Sequence, residues 1–332
     1  MRRNIIPKVL ITGGTGFIGS HTVEKFLSQK WQVVCLVRPH HTSLGWLEGL
    51  PIEVITGDLL QPKSLEEKIQ DVEYVVHIAG ITKAKKRSEY FQGNVVATQN
   101  LLDIALKLPH CKKFTYISSQ TVVGPSKDGT PLDETAPCHP ITTYAETKLE
   151  AELRCKKVMP QLPIVILRPS AVFGPRDTDI LEIFKWVDRG FKLVLGSPEK
   201  TLNLIYGPDL ANAIYQATIS DKTSGETYFV ADRTIFTFSA LIEYISSLSS
   251  KKGVKVHIPK GVVYSMAGIS QFFSTFGKKP SPFNIEKAKD LLQKHWVCSP
   301  QKIYDHIGFR TQTSVYDGLQ QTFKWYKKEG WL

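Results

Sequence analysis

A chain of 332 residues with 42% hydrophobic content is long enough for one large core and a second, smaller lobe. Its formal charge of +11 is scattered rather than gathered into a basic stripe, which argues against a nucleic acid partner, and the densest cluster, Lys83 to Arg87, reads as a solvated loop. Cys35, Cys111, Cys138, Cys155 and Cys298 are odd in number and hold no C-x-x-C pair, predicting a reducing cytoplasm and no metal site, and no stretch reaches the roughly 18 to 20 apolar residues of a membrane span.

The opening MRRNIIPK has two arginines but no apolar run of signal-peptide length, in keeping with a cytoplasmic location. Val9, Leu10 and Ile11 read as a buried strand that ends in a glycine-rich turn and a helix from Phe17 to Leu27. Gly14, Gly16 and Gly19 give G-x-G-x-x-G, while Gly13, Gly16 and Gly19 give the overlapping G-x-x-G-x-x-G. In a dinucleotide site the first glycine permits a positive φ, the second admits a pyrophosphate, and the third lets the helix lie close on the strand. The N–H groups at Phe17 and Ile18 would then face the phosphates.

Gln32 to Val37 is a second strand ending at Arg38. An acidic residue here would bind the ribose 2′-hydroxyl of NAD, whereas an arginine suits the 2′-phosphate of NADP. Arg38, helped by His40, His41 or Ser43, therefore predicts NADP, with NAD as the alternative. Ile52 to Thr56 is the third strand, after which Asp58, beside Leu59, either accepts from the adenine amino group or closes the strand in an Asx turn. Leu65 to Ile69 marks a helix. Tyr74 to Ile78 is a fourth strand that runs into Ala79 and Gly80, small enough to leave room for a flat ligand. A long helix, Ser88 to Leu106, precedes the fifth strand, Phe114 to Ser118. Ile164 to Leu167 continues the sheet and Thr227 to Val230 is a late addition to it.

This alternation predicts an α/β doubly wound parallel sheet, a Rossmann fold, over residues 1–170 with 205–232 returning to it. The looser segments 171–204 and 233–332 are assigned to a smaller substrate lobe. Within them, Gly261 to Gly277 (GVVYSMAGISQFFSTFG) is apolar but short and broken by serines. It reads as a buried or substrate-covering helix, with surface contact to lipid as the alternative. The closing helix, Ser314 to Lys328, has Val315, Leu319, Phe323 and Tyr326 on one face and packs across the body.

Of twelve tyrosines, Tyr144 alone is followed four residues on by a lysine, Lys148, which puts the pair on one helix face. The pair follows Ser118, Ser119 and Thr121, which emerge from the carboxyl end of the fifth strand, where open sheets bind ligands. A tyrosine with a pKa near 10 is a poor base at neutral pH. An ammonium about 4 Å away is worth roughly 4 kcal/mol at an effective dielectric of 20, about three pKa units, which would move Tyr144 toward 7. A serine hydroxyl would hold the substrate oxygen while a nicotinamide exchanged hydride with the carbon bearing it. The reaction class is reversible oxidation of a secondary alcohol to a ketone.

TGGTGFIG (Thr12 to Gly19), Gly57-Asp58, VVHIAG (Val75 to Gly80), YISSQTVVG (Tyr116 to Gly124), Tyr144-x-x-x-Lys148 and LRPSAVFGP (Leu167 to Pro175) resemble, in order, the extended short-chain dehydrogenase/reductases, the NAD(P)-dependent epimerase/dehydratase family. The resemblance implies Tyr144 as acid/base, Lys148 as its ribose-binding partner, Ser119 as the substrate-holding hydroxyl with Thr121 as second choice, and Asn94 as either a proton-relay or a structural residue. It also implies a homodimer built on helices around Asn94 to Leu106 and Thr143 to Lys157. Nucleotide-sugar epimerases carry anion-binding groups where this chain has Ala171 and Leu202 or Asn203, so two phosphate charges would enter unpaired. The chain is more similar to the branch of hydroxysteroid dehydrogenases and dihydroflavonol-type reductases. The leading expectation is an NADP-dependent oxidoreductase acting on a fairly apolar small molecule. A nucleotide-sugar epimerase or dehydratase with tightly held NAD is the alternative, and a non-enzymatic NADP-binding sensor the third.

Overall fold

Val9, Leu10 and Ile11 are fully buried. A strand covered on both faces belongs to a parallel sheet with helices on each side. The computed structural model, which describes residues 6–40, 43–249, 251, 253–277, 281 and 283–332, has that architecture.

The chain first forms β1 (Lys8–Thr12), α1 (Phe17–Ser28), β2 (Gln32–Val37), β3 (Glu53–Thr56) and β4 (Tyr74–His77). A helix in three parts follows: α2 (Arg87–Tyr90), a π-helical turn over Phe91–Val96, and α3 (Ala97–Ala105). Then come β5 (Lys113–Ile117), α4 (Thr143–Val158), β6 (Ile164–Pro169), β7 (Ala171–Phe173), α5 (Leu181–Asp188), β8 (Phe191–Leu195), β9 (Thr201–Tyr206), α6 (Gly207–Ile219) and β10 (Thr227–Val230). The chain closes with β11 (Ile235–Thr237), α7 (Phe238–Leu248), β12 (Val254–Ile258), α8 (Lys260–Phe276), α9 (Ile285–Leu291), β13 (His295–Trp296), α10 (Gln301–Ile307) and α11 (Val315–Lys328).

Seven strands form one parallel sheet in the order β3-β2-β1-β4-β5-β6-β10. Alternate side chains feed two cores. Leu10, Val75 and Phe114 meet Leu101, Ala105, Ala151 and Cys155 of α3 and α4 on one face. Val9, Ile11 and Val76 meet Val23, Phe26, Leu210 and Ile214 of α1 and α6 on the other. The strand order reverses between β1 and β4, so the carboxyl ends of these two strands frame the crevice where such sheets take a ligand.

Two expected elements differ. Leu65 to Ile69 forms no α-helix but a pair of short 3-10 turns, Pro62–Ser64 and Glu66–Ile69, which are enough to bury Leu65 and Ile69. The long helix is interrupted by its π-helical turn because the Asn94 amide bonds the backbone of Ile81: Oδ1 accepts from the Ile81 N–H at 2.7 Å and Nδ2 donates to its carbonyl at 3.1 Å. Gly93 permits the approach, since a Cβ there would lie 2.4 Å from Ile81 Cδ1.

Outside the large sheet, β9 pairs with β7, β11 and β13, and β8 pairs with β12. Phe173, Phe184, Ile245, Leu319 and Tyr326 make a third core that joins α5, α7 and α11. Ser314 caps α11, and the Tyr326 hydroxyl donates to the Asp177 carbonyl at 2.6 Å, so the closing helix is tied to the loop before α5. Along α8, Val263 and Ala267 are buried against Ala288 and Leu292 while the other side is exposed. The expectation of a buried helix holds for one face alone. The Lys83–Arg87 cluster is exposed but not idle: Lys83 pairs with Asp179 at 2.7 Å, Arg87 pairs with Glu146 at 3.1 Å, and Lys85 donates to the Gly277 carbonyl after α8.

Candidate active site

The glycine turn sits at the reversal point of the sheet. Gly13 has φ +75°, and a Cβ there would lie 2.7 Å from the Ala79 nitrogen, so the loops after β1 and β4 abut. A Cβ at Gly19 would lie 2.0 Å from the Gly13 carbonyl oxygen. Of the two overlapping glycine patterns, the geometry therefore selects Gly13, Gly16 and Gly19. Gly16 caps α1 without a side chain, no acidic residue lies in the first turn, and the first N–H groups, at Phe17 and Ile18, lack a side-chain acceptor. A Cβ at Gly16 would meet only the Gly13 oxygen, at 3.3 Å, which leaves its outer side open to an anion.

Arg38 follows β2, exposed, and makes no hydrogen bond or ion pair among the described residues. Ser43 accepts from the Gly45 N–H and donates to Glu48, and His41 lies outside the described residues. Asp58 Oδ1 accepts from the Leu60 N–H at 2.9 Å in an Asx turn. Leu59 is buried and its carbonyl accepts from Asn100. Ala79 donates to the Thr12 carbonyl, and Gly80 lies exposed above Asn94. Asn94 is itself buried; besides holding Ile81, it donates to Thr147 Oγ1 at 3.0 Å, which links the loop after β4 to α4.

Thr142 caps α4, so the helix begins just before Tyr144 and stacks Tyr144, Lys148 and Glu152 at intervals of four. Ser119 leaves β5 in extended conformation. Its hydroxyl accepts from Thr121 N–H at 3.2 Å and Thr121 Oγ1 at 2.9 Å, and lies near enough to Tyr144 to act on its ionisation. The structure thus bonds Thr121 to Ser119 and brings Ser119 beside Tyr144. Lys148 points elsewhere: Nζ donates to the Ile117 carbonyl at 2.6 Å and lies 4.3 Å from the centre of the Tyr116 ring.

That direction corrects the electrostatic expectation. Tyr144 does not move toward 7. Burial pushes it up to about 12; the neighbouring Ser119 hydroxyl opposes this, while Asp290 and Tyr90 add to it. Burial in turn lowers Lys148 to about 8, against the nearby Cys155 and Glu152. Desolvation outweighs the pairing because the ammonium bonds a carbonyl instead of facing the phenol.

Three features escaped the sequence reading. Arg168 on β6 makes a bidentate pair with Glu152, 2.9 and 2.7 Å, both side chains fully buried, and this locks the face of α4 that carries Tyr144 and Lys148. Glu286 of α9 accepts from both the N–H and the hydroxyl of Thr143, at 2.9 and 2.6 Å. Asp290, one turn further along α9, lies close enough for its charge to act on Tyr144. The only signal for the first was the spacing of Glu152 four residues after Lys148; contacts from α9 span more than 140 residues of chain and left none.

The buried hydroxyls of Ser118 and Ser170, at the carboxyl ends of β5 and β6, have no partner among the described residues. With the open cradle at Gly16 and the uncapped helix above it, they fit a nicotinamide dinucleotide laid across the strand ends. A fold and site of this kind define a nicotinamide-dependent enzyme. The family described as NAD dependent epimerase/dehydratase matches residues 9–231, and the protein belongs to it; its cofactor is NAD or NADP.

Among its relatives are a ceramide reductase of Caulobacter vibrioides, 25% identical over 98% of this chain and 96% of that one, and a decarboxylating sterol-4-alpha-carboxylate 3-dehydrogenase of Candida albicans, 27% identical over 98% and 99%. The fold is shared with UDP-glucose 4-epimerase of Thermotoga maritima, solved with UDP-glucose, at a TM-score of 0.80 and 20% identity over 97% of this chain and 99% of that one. Among the described residues no helix is long and apolar enough to cross a membrane.

Proposed function

We propose that the protein is an NADP-dependent reductase that converts a ketone on a fairly apolar, lipid-like small molecule to a secondary alcohol. The observation that carries this reading is Ser119, at the end of β5, set beside Tyr144 of α4, with Tyr144 protonated at neutral pH. A phenol held near 12 is a proton donor. Ser119 Oγ holds the carbonyl oxygen, Tyr144 Oη gives it a proton, and the phenolate recovers one from solvent. The reduced nicotinamide, when bound, supplies the hydride that the carbonyl carbon gains. Lys148, one helical turn from Tyr144, is assigned to the cofactor ribose.

NADP is favoured by the exposed Arg38 guanidinium, unpaired among the described residues, and by the lack of an acidic side chain at the end of β2. An apolar substrate is favoured by the positions that would otherwise bind a diphosphate. Ala171 offers a methyl group, Leu202 packs against the third core, and the Asn203 amide is spent on the Asp232 and Thr234 carbonyls and the Cys298 N–H. Two relatives act, by name, on a ceramide and on a sterol carboxylate. Exposed Phe91, Leu106 and Leu153 along α2 to α4 support a homodimer, and the five free cysteines support a reducing cytoplasm.

The test is NADPH oxidation by the purified protein against long-chain and steroidal ketones, with UDP-sugars in parallel. Turnover of the ketones, at least about tenfold faster with NADPH than NADH, is the expected result. Interconversion of UDP-sugars on tightly bound NAD, without net oxidation, would overturn it.

A further inference from the structure

α8 carries two apolar stripes and the protein covers only one. Val263 and Ala267 face Ala288 and Leu292. Val262, Met266, Ile269 and Phe273, spaced by four, three and four, fall on a separate line of the helix and are 48, 51, 58 and 67% exposed. Four large apolar side chains in a continuous row are more than the scattered exposure of an ordinary surface.

Between Glu243 and Glu286 the sequence that carries this row is basic. Residues 244–285 contain six lysines and no aspartate or glutamate. Lys260 opens the helix, and Lys85 reaches the carbonyl of Gly277 just beyond its end. A second copy would bring this basic stretch of chain against itself, whereas a layer of anionic headgroups over an acyl interior meets both the sign of its charge and the apolar row. The helix is joined to the site through α9, on which it packs and which holds Thr143, next to Tyr144, through Glu286.

We infer that α8 is a membrane-docking helix that lies in the headgroup layer of an anionic bilayer, with Val262, Met266, Ile269 and Phe273 in the acyl boundary and Lys260 among the lipid phosphates. Docking there brings the lobe joined to the Tyr144 helix to the lipid surface, where an apolar substrate resides. The inference extends the proposed function, but its test reads binding and needs no turnover.

The full-length protein is sedimented with vesicles of phosphatidylcholine alone and with vesicles containing about one-third phosphatidylglycerol. Wild type should partition at least about tenfold more strongly onto the anionic vesicles, and roughly 0.5 M salt should weaken it. The double variants Ile269→Asp/Phe273→Asp and Ile269→Ser/Phe273→Ser should each lose at least about tenfold in partitioning while still binding NADPH. The serine pair leaves net charge unchanged and so isolates the apolar contribution. Absence of wild-type binding at low salt, or variants that bind as wild type does, overturns the inference. So does a halving of molecular mass by light scattering in the variants, which would assign the row to a second copy. Vesicle binding without ketone reduction would sink the proposed reaction and leave the docking helix standing.

Discussion

Replacing Lys148 by methionine should make the protein more stable and less active. Lys148 is almost fully buried, and burial lowers it from 10.5 to about 8. At pH 7 the lysine is charged in both states, so the folded protein carries the whole cost of a buried ammonium, roughly 3 kcal/mol at 1.36 kcal/mol per pKa unit. For a chain of this length that is roughly 4 °C in Tm. The sign follows from the lowered pKa: stability linked to Lys148 is complete above 10.5 and is lost as pH falls toward 8, because the unfolded chain binds the proton first. The advantage of Lys148→Met should thus be full at pH 7 and shrink between pH 8 and 10.5. Urea unfolding of both proteins without cofactor, at pH 7 and pH 10, measures it. Reductase activity should fall at least about a hundredfold. A variant less stable than wild type at pH 7 would show that the bond to the Ile117 carbonyl and the contact with the Tyr116 ring outweigh desolvation, and the account of this lysine would be wrong.

Tyr144 titrates in the opposite sense. In a difference titration of wild type against Tyr144→Phe without cofactor, the phenol should not ionise below about pH 10, and its contribution to stability should be lost as pH rises from 10 toward 12. Ionisation near 7 would restore the paired-lysine picture. Tyr144→Phe should also cost at least about a hundredfold in the rate of ketone reduction, with secondary structure by circular dichroism unchanged. Arg38→Ser should raise the KM for NADPH at least about tenfold and leave that for NADH within about twofold; equal effects on both would remove Arg38 from the 2′-phosphate. Glu152→Gln leaves Arg168 buried without its counter-charge and should destabilise the fold by about 3 to 5 kcal/mol in urea unfolding, a loss that an exposed pair would not show.

Sequence alone determined whatever depends on neighbours in the chain. The run from Val9 to Ile11 into Gly13, Gly16 and Gly19 specified a buried strand, a tight turn and an uncapped helix, because positive φ and close backbone approach are demands on single residues. The four-residue spacing put Tyr144 and Lys148 on one helix face for the same reason. Distance across the fold decided the rest. Which overlapping glycine pattern applies depends on Ala79, brought against Gly13 by the parallel pairing of β1 with β4. Whether Lys148 lowers Tyr144 depends on where the ammonium finds an acceptor, and the Ile117 carbonyl at the end of β5 took it. The Arg168–Glu152 lock and the reach of Glu286 to Thr143 join residues that only packing makes adjacent. The apolar stretch from Gly261 to Gly277 shows the division most clearly: its sequence required a helix with apolar faces, but only the placement of α9 determined which face the protein would cover and which it would leave for something else.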